Sequence, residues 1–168
     1  PVPVWTGGLV VSLSGRNGPI FALRVPATGQ AIEAAVCWRL NRGGPYVPSA
    51  ILYRNRLYVL ADSGVATCIN PGDGGAIWKD RLKGTFTASL VAADGRIYAV
   101  SEHGVVHVFA AADRFELLAS NSLGERCLAT PAIAGDALYV RTERLLYCFG
   151  SGSGESLACG FPSQSGAR

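Results

Sequence analysis

The stretch ASLVAADGRIYAVSEHGVVHVF, residues 88–109, decides the fold. It contains three runs of apolar and β-branched residues, separated by an Asp94-Gly95 turn and a Glu102-His103-Gly104 turn. Short β-prone runs joined by Asp-Gly or other Gly-containing turns are typical of neighbouring antiparallel strands. The stretch therefore predicts an antiparallel β-meander.

The same pattern recurs before and after this stretch. Tyr58, Tyr98 and Tyr139 each close a Leu-Tyr or Ile-Tyr pair, at intervals of 40 and 41 residues. A period near 40 residues, built of short strands, is typical of propeller blades. We predict an all-β β-propeller of about four antiparallel blades with four strands each, with approximate bounds 1–43, 44–83, 84–124 and 125–161, and a flexible tail over 162–168. An all-β sandwich is the alternative, and the fixed recurrence of turn types argues against it.

Composition excludes several classes of protein. The 168 residues are 49% hydrophobic and 16% charged with a net charge of +3, which suits a packed core and argues against disorder. The basic residues form pairs rather than a stripe with stacking aromatics, so we expect no nucleic-acid partner. No run of eighteen apolar residues occurs, so we expect no transmembrane segment.

The five cysteines do not form a metal site by their spacing. None belongs to a C-x-x-C pair, and zinc spacing is absent. Cys68 and Cys148 occupy the strand positions that Ala22 and Val108 occupy in other repeats, which indicates small buried hydrophobic residues. One disulfide is compatible with the count, and the sequence does not choose its partners.

Two stretches resemble a known repeat family. INPGDGGAIW, residues 69–78, is similar to the turn-and-tryptophan motif of pyrroloquinoline-quinone-like propeller repeats, and LRVPATGQ, residues 23–30, matches it through Thr-Gly. The family includes exported outer-membrane β-barrel assembly lipoproteins and quinoproteins. The resemblance implies that the first strand of each blade lies innermost around a central channel. It also implies that Trp38 and Trp78 dock each blade on a Gly-containing turn of its neighbour.

The resemblance weakens in the second half of the chain. Ala119 and Ala158 stand where tryptophan would be, so we expect other packing there, for example by Phe115 or Phe161. Members of the family usually have seven or eight blades. We therefore expect a C-terminal half of a larger propeller, with self-association through an open blade edge. The resemblance also implies a periplasmic or otherwise extracytoplasmic location.

The catalytic branch of this family is a quinoprotein dehydrogenase. It needs quinone, Ca²⁺, an Asp base, Glu and Asn ligands and a vicinal cysteine pair, whereas this chain has no adjacent cysteines. Asp62 and Asp94 lie in predicted turns, where Asp is favoured for backbone hydrogen bonding. His103 is interpreted as a turn residue and His107 as an outward-facing strand residue. We expect no catalytic residues, no bound metal and no cofactor.

The segments that lead into each innermost strand should converge at one mouth of the channel. They place Tyr46, Phe86, Glu125 and Arg126 there, a mixture of aromatic and charged groups usual at binding sites. The alternative is that Tyr46 and Phe86 plug the channel or wedge between blades. A second patch, at the ends of second strands, comprises Glu102, Arg141, Glu143 and Arg144.

These observations favour a non-catalytic propeller scaffold that binds a protein or other macromolecule. The first alternative is a fragment of a quinone- and calcium-dependent alcohol or sugar dehydrogenase whose catalytic residues lie upstream. A carbohydrate-binding propeller is a third reading, suggested by the aromatic residues at the channel mouth.

Overall fold

In the computed structural model, residues 1–25 and 35–150 are described in full and residues 159–160 by their backbone. The described residues form sixteen β-strands in four antiparallel sheets of four strands. This confirms the predicted all-β propeller with four-stranded blades. No helix in these ranges is long and apolar enough to cross a membrane.

Each blade takes four strands in succession, and the blades are numbered 1 to 4 in chain order. The strands are β1 (Val4–Thr6), β2 (Leu9–Leu13), β3 (Ile20–Arg24), β4 (Val36–Leu40), β5 (Ile51–Tyr53), β6 (Arg56–Leu60), β7 (Val65–Ile69), β8 (Ala76–Arg81), β9 (Val91–Ala93), β10 (Arg96–Val100), β11 (Val105–Ala110), β12 (Leu117–Ser122), β13 (Ala132–Ala134), β14 (Ala137–Arg141), β15 (Leu145–Gly150) and β16 (Cys159–Gly160).

The first strand of each blade lies at the centre of the molecule. β1 packs beside β5, β5 beside β9, and β9 beside β13, so the blades radiate in order from a common axis. Within each sheet the strands follow chain order, as a meander requires. The first strands therefore occupy the innermost position that the family resemblance implied.

The hairpins that join first and second strands are tight two-residue turns. Arg54 and Asn55 have φ angles of 48° and 56°, and Asp94 and Gly95 have φ angles of 47° and 72°. Two consecutive left-handed residues make a type I′ turn, whose twist matches that of the strands it joins. The predicted Asp94-Gly95 turn therefore sets the register Arg96↔Ala93.

Apolar residues from facing sheets form a separate core between each pair of successive blades. Val11 and Ala22 of blade 1 pack with Leu57 of blade 2. Tyr58 of blade 2 packs with Phe109 of blade 3, and Val100 of blade 3 packs with Val140 of blade 4. Because alternate residues of a strand face opposite sides, each blade has a front face towards the next blade and a back face towards the preceding one.

Two tryptophans form hydrogen bonds between successive blades. The Trp38 indole N–H donates to the Pro71 carbonyl at 2.9 Å, and the Trp78 N–H donates to the Ala112 carbonyl at 2.9 Å. A methyl group on Gly74 would approach the Trp38 ring to 2.6 Å, so glycine is required at that contact. Each indole thus docks on a turn of the following blade.

We expected Phe115 to pack in place of a tryptophan at Ala119, but it packs in another interface. Phe115 packs on Trp78, with ring centroids 5.3 Å apart, and extends the core between blades 2 and 3. It therefore does not replace a tryptophan at Ala119, which faces blade 4. Phe161 and Ala158 lie outside the described residues. Among the described cysteines, Cys37, Cys68, Cys127 and Cys148 are free thiols.

Candidate functional site

Backbone hydrogen bonds join the segment that leads into each blade to a turn of the preceding blade. The Phe86 N–H donates to the Asp62 carbonyl, which joins the segment entering blade 3 to a turn of blade 2. The Cys127 N–H donates to the Glu102 carbonyl, which makes the same connection one blade later. These segments and turns therefore form a hydrogen-bonded rim rather than a set of free loops.

Glu125 is held rigidly in this rim. Its carboxylate accepts a hydrogen bond from the Thr142 hydroxyl at 2.6 Å and forms an ion pair with Arg144 at 2.8 Å. The Thr142 hydrogen bond, followed by the Arg144 guanidinium, holds the pKa of the Glu125 carboxyl below its usual value. Glu125 is consequently ionised at neutral pH and fixes the position of the exposed Arg144 side chain.

Arg126 lies between two shallow cavities of the rim. One has a volume of about 240 Å³ and is shared with Leu128, Arg141 and Glu143. The other has a volume of about 310 Å³ and is shared with Glu102 and Glu125. The structure therefore brings Glu125 and Arg126 of the first predicted set together with all four residues of the second set. We call this surface the mouth patch: Glu102, Glu125, Arg126, Leu128, Arg141, Glu143 and Arg144.

A buried thiol supports the patch from beneath. Cys127 is 1% exposed, and its Sγ donates to the Arg141 carbonyl oxygen at 3.0 Å. Burial raises the pKa of the Cys127 thiol, so it is protonated and able to donate at neutral pH. This contact fixes the backbone that carries the Arg141 side chain.

The two aromatic residues of the first predicted set do not join the mouth patch. Phe86 is 1% exposed and packs against His107, with ring centroids 5.9 Å apart, inside the core between blades 2 and 3. Tyr46 is 50% exposed and lies beside Asp62, whose carboxylate accepts its backbone N–H, with the Arg16 guanidinium 4.3 Å above its ring. Of the two, Tyr46 presents its ring to solvent and Phe86 does not.

His107 is not the outward-facing strand residue that the sequence suggested. It is 4% exposed, its Nδ1 lies 2.8 Å from the Ser120 hydroxyl, and its Nε2 lies 3.0 Å from the Lys83 carbonyl. Burial lowers the pKa of His107, and the Lys83 carbonyl opposes this more weakly. The imidazole is therefore neutral at pH 7 and connects blade 3 to blade 2.

Two features of this region were not foreseen. His103 and His107 line opposite parts of a cavity of about 640 Å³ between blades 2 and 3, together with Arg81 and Leu117. A cavity of about 420 Å³ lies between blades 3 and 4. The alanine at position 119 was the available sequence signal for the second cavity. Within residues 1–25 and 35–150, no three His, Cys, Asp or Glu side chains are grouped so as to hold a metal ion.

Comparison with known proteins agrees with this architecture. Residues 25–146 match the family model of the outer membrane protein assembly factor BamB. The crystal structure of BamB from Moraxella catarrhalis superposes with a TM-score of 0.71 at 18% identity, over 90% of this chain and 46% of that one. The chain thus spans less than half the length of that BamB. No curated protein sequence matches the chain.

Two other solved structures share the fold. The computationally designed protein Ika4 superposes with a TM-score of 0.70 at 14% identity, over 89% of both chains. A europium-containing methanol dehydrogenase superposes with a TM-score of 0.59 at 12% identity, over 74% of this chain and 24% of that one. At these identities the likeness extends to the fold alone.

Proposed function

Because the chain belongs to the propeller family of the outer membrane protein assembly factor BamB, we propose that it is a non-catalytic scaffold that binds a protein partner through the mouth patch. The observation that carries the proposal is the patch itself. It places three glutamates and three arginines on one rim, which inter-blade hydrogen bonds hold, together with Leu128, which is 45% exposed.

The chemistry of the mouth patch suits a protein more than a small molecule. Its cavities are shallow and small, whereas ligand pockets are usually concave and largely apolar. Arginine is enriched among the residues that dominate protein–protein binding energy. Ion pairing also holds Glu125 and Arg144 in place before binding, which lowers the entropic cost of ordering them.

The family also bears on where the protein acts. The name of its family model refers to assembly at the outer membrane. We propose an extracytoplasmic location and a partner from the machinery or substrates of outer-membrane protein assembly. We propose in addition that the back face of blade 1 and the front face of blade 4, which join no inter-blade core among the described residues, offer a surface for a second copy of the chain.

Site-specific photocrosslinking tests the proposal. A benzoylphenylalanine at position 128 should give discrete adducts with a solubilised outer-membrane fraction, while the same probe at Leu118, an equally exposed position on β12, should not. Excess unlabelled chain should compete with the adducts, and Arg126→Glu with Arg141→Glu should abolish them. Arg114→Glu, an exposed charge reversal away from the patch, is the matched control.

Two results would count against the proposal. Identical adducts at positions 128 and 118, or none at either, would remove the mouth patch as a binding surface. Steady reduction of a dye by an alcohol or sugar, with added pyrroloquinoline quinone and Ca²⁺, would favour the dehydrogenase alternative.

A further inference from the structure

The cavity between blades 3 and 4, which we call the 3–4 groove, has walls that are polar and apolar in nearly equal parts. It has a volume of about 420 Å³, and its walls include Tyr98 of blade 3 and Ile133, Leu138 and Phe149 of blade 4. Asp94 and Arg96, joined by an ion pair of 2.6 Å, lie at its rim. The groove thus combines an aromatic and aliphatic lining with polar groups at its entrance.

The equivalent space between blades 2 and 3 is filled by side chains of blade 2. The Tyr53 hydroxyl accepts a hydrogen bond from the Gly95 N–H at 2.9 Å. This contact closes the interface beside the turn that joins β9 and β10. The Trp78 ring covers Tyr58 and Phe109, with centroids 6.0 and 5.9 Å away. These two aromatic side chains, each with one polar group on a backbone partner, therefore close this part of the interface together with Phe115.

Both aromatic side chains are missing one blade later. Ala93 ends β9 where Tyr53 ends β5, and Ala119 pairs with Val108 as Trp78 pairs with Cys68. Without these side chains, part of the lining of the 3–4 groove is exposed to solvent. Phe149, the equivalent of Phe109, is 40% exposed where Phe109 is 1% exposed.

We propose that the 3–4 groove binds an aromatic side chain, tryptophan or tyrosine, presented by a protein partner. The groove continues an inter-blade interface that the same fold closes elsewhere with those two residue types. An aromatic side chain bound there would cover Phe149 and Ile133, and burial of this apolar surface would favour binding. Its N–H or O–H would lie near the Asp94 carboxylate at the rim.

This site is separate from the mouth patch. It rests on the proposed function in that its natural ligand belongs to a protein partner. Its first test needs no partner, however, because a free tryptophan derivative carries the chemistry that the groove selects. Failure of crosslinking at position 128 would therefore not affect binding of the tryptophan derivative to the 3–4 groove. Failure of that binding would likewise not affect the crosslinking result.

The probe is N-acetyl-L-tryptophanamide, titrated into the full chain and followed by NMR. We expect saturable shifts of the Tyr98, Ile133 and Phe149 signals at millimolar concentration. Ala93→Tyr, which rebuilds the blade 2 side chain in place, should weaken binding at least tenfold and raise Tm by several degrees. Ala134→Tyr is the matched control, because it places the same side chain at the equivalent exposed position of blade 4, on its front face.

Three results would overturn the proposal. The first is the absence of saturable shifts up to the solubility limit of the probe. The second is unchanged binding in a folded Ala93→Tyr variant, which would place the probe elsewhere. The third is binding that appears only in Phe161→Ala, which would assign the groove to a residue of this chain. If Ala93→Tyr does not fold, Ala119→Trp provides the same comparison from the outer strand.

Discussion

At the scale of single residues, two side chains in the third strands connect a blade to the one before it. The His107 ring lies 3.0 Å from the Lys83 carbonyl, and the Tyr147 hydroxyl donates to the Leu123 carbonyl at 3.1 Å. Lys83 and Leu123 each precede the glycine at the end of a blade. A carbonyl buried at these points needs a donor, and a different residue supplies it in each blade.

We predict opposite outcomes for two tyrosine-to-phenylalanine substitutions. Tyr58 is 1% exposed, and the Cys68 thiol beside its hydroxyl is only a weak hydrogen-bond partner, so Tyr58→Phe should leave the free energy of unfolding nearly unchanged or higher. Tyr147→Phe removes a donor from the Leu123 carbonyl and should lower it by about 1 kcal/mol. Urea unfolding measures both. A loss in Tyr58→Phe as large as that in Tyr147→Phe would contradict the assignment.

We also predict a pH dependence of stability from His107. Its pKa is lowered by burial, so the folded protein favours the neutral ring and the unfolded chain binds a proton more readily. This contribution is fully present above the unfolded pKa of about 6.5. It is lost as the pH falls from there through the lowered folded pKa.

His107→Gln is the control for that prediction, since it retains a donor for the Lys83 carbonyl and does not titrate. Denaturant unfolding at pH 7.5, 6.0 and 5.0 should show a steeper decline for the native chain than for the variant. Parallel declines would show that other groups account for the acid sensitivity.

At the scale of secondary-structure elements, glycines in the connections set how closely blades approach. Gly104 has a φ of 71°, and a methyl group there would overlap the Glu125 carbonyl oxygen. Gly124 has nearly the same φ, 72°, with no atom within 4 Å of the position of a methyl group. The two glycines share a backbone conformation and differ in their surroundings.

Alanine at these two positions should therefore separate backbone strain from steric overlap. We expect Gly124→Ala to lower the free energy of unfolding by about 1 kcal/mol, the cost of a left-handed non-glycine residue. Gly104→Ala should lower it by about 3 kcal/mol or more, because the rim must also move away from Glu125. Chemical denaturation of both variants measures the difference. Equal losses in the free energy of unfolding would show that the rim moves away from the added methyl group at no cost.

At the scale of the whole molecule, the back face of blade 1 and the front face of blade 4 join no inter-blade core among the described residues. The inter-blade cores of the described residues join blades 1 and 2, 2 and 3, and 3 and 4. The front face of blade 4 presents Tyr139, Leu146 and Cys148, and the back face of blade 1 presents Val10 and Phe21. These two faces have the positions that pack together at each internal interface.

We predict that the chain self-associates through these faces. A second copy whose blade 1 packs on blade 4 would bury apolar surface in the arrangement used between internal blades. Sedimentation should show a concentration-dependent dimer that Val10→Lys or Leu146→Lys weakens at least tenfold. Val47→Lys, at an exposed site away from both faces, should leave it unchanged. A monomer at all concentrations up to 100 µM, on the order of the range where weak dimers form, would exclude this association.

The propeller itself could be predicted from the sequence because its determinants are local and repeated. A type I′ turn at Asp94-Gly95 depends on two adjacent residues, and strand alternation depends on a period of two. The recurrence of Tyr58, Tyr98 and Tyr139 then indicated a repeat of about 40 residues. Trp38 and Trp78 were recognisable because their docking partners are turns with a glycine signature.

The site was only partly predictable, because it depends on which residues distant in sequence come together. Glu125, Arg126 and Arg144 lie close in space because two connections of blade 4 meet at the rim. Phe86 looked equivalent to Tyr46, yet it is buried where Tyr46 is exposed. Adjacent residues of one segment can face core or solvent, and only the packing of neighbouring blades determines which.

What the sequence determined by itself is the repeat: strands, tight turns, and the positions of the tryptophans. What only the tertiary structure decided is the surface that the repeats create. His107 turned out to face the preceding blade, and the loss of Tyr53 and Trp78 at Ala93 and Ala119 turned out to leave a groove. The physical reason is that secondary structure follows from short-range periodicity, whereas faces, ion pairs and cavities arise from contacts between successive blades.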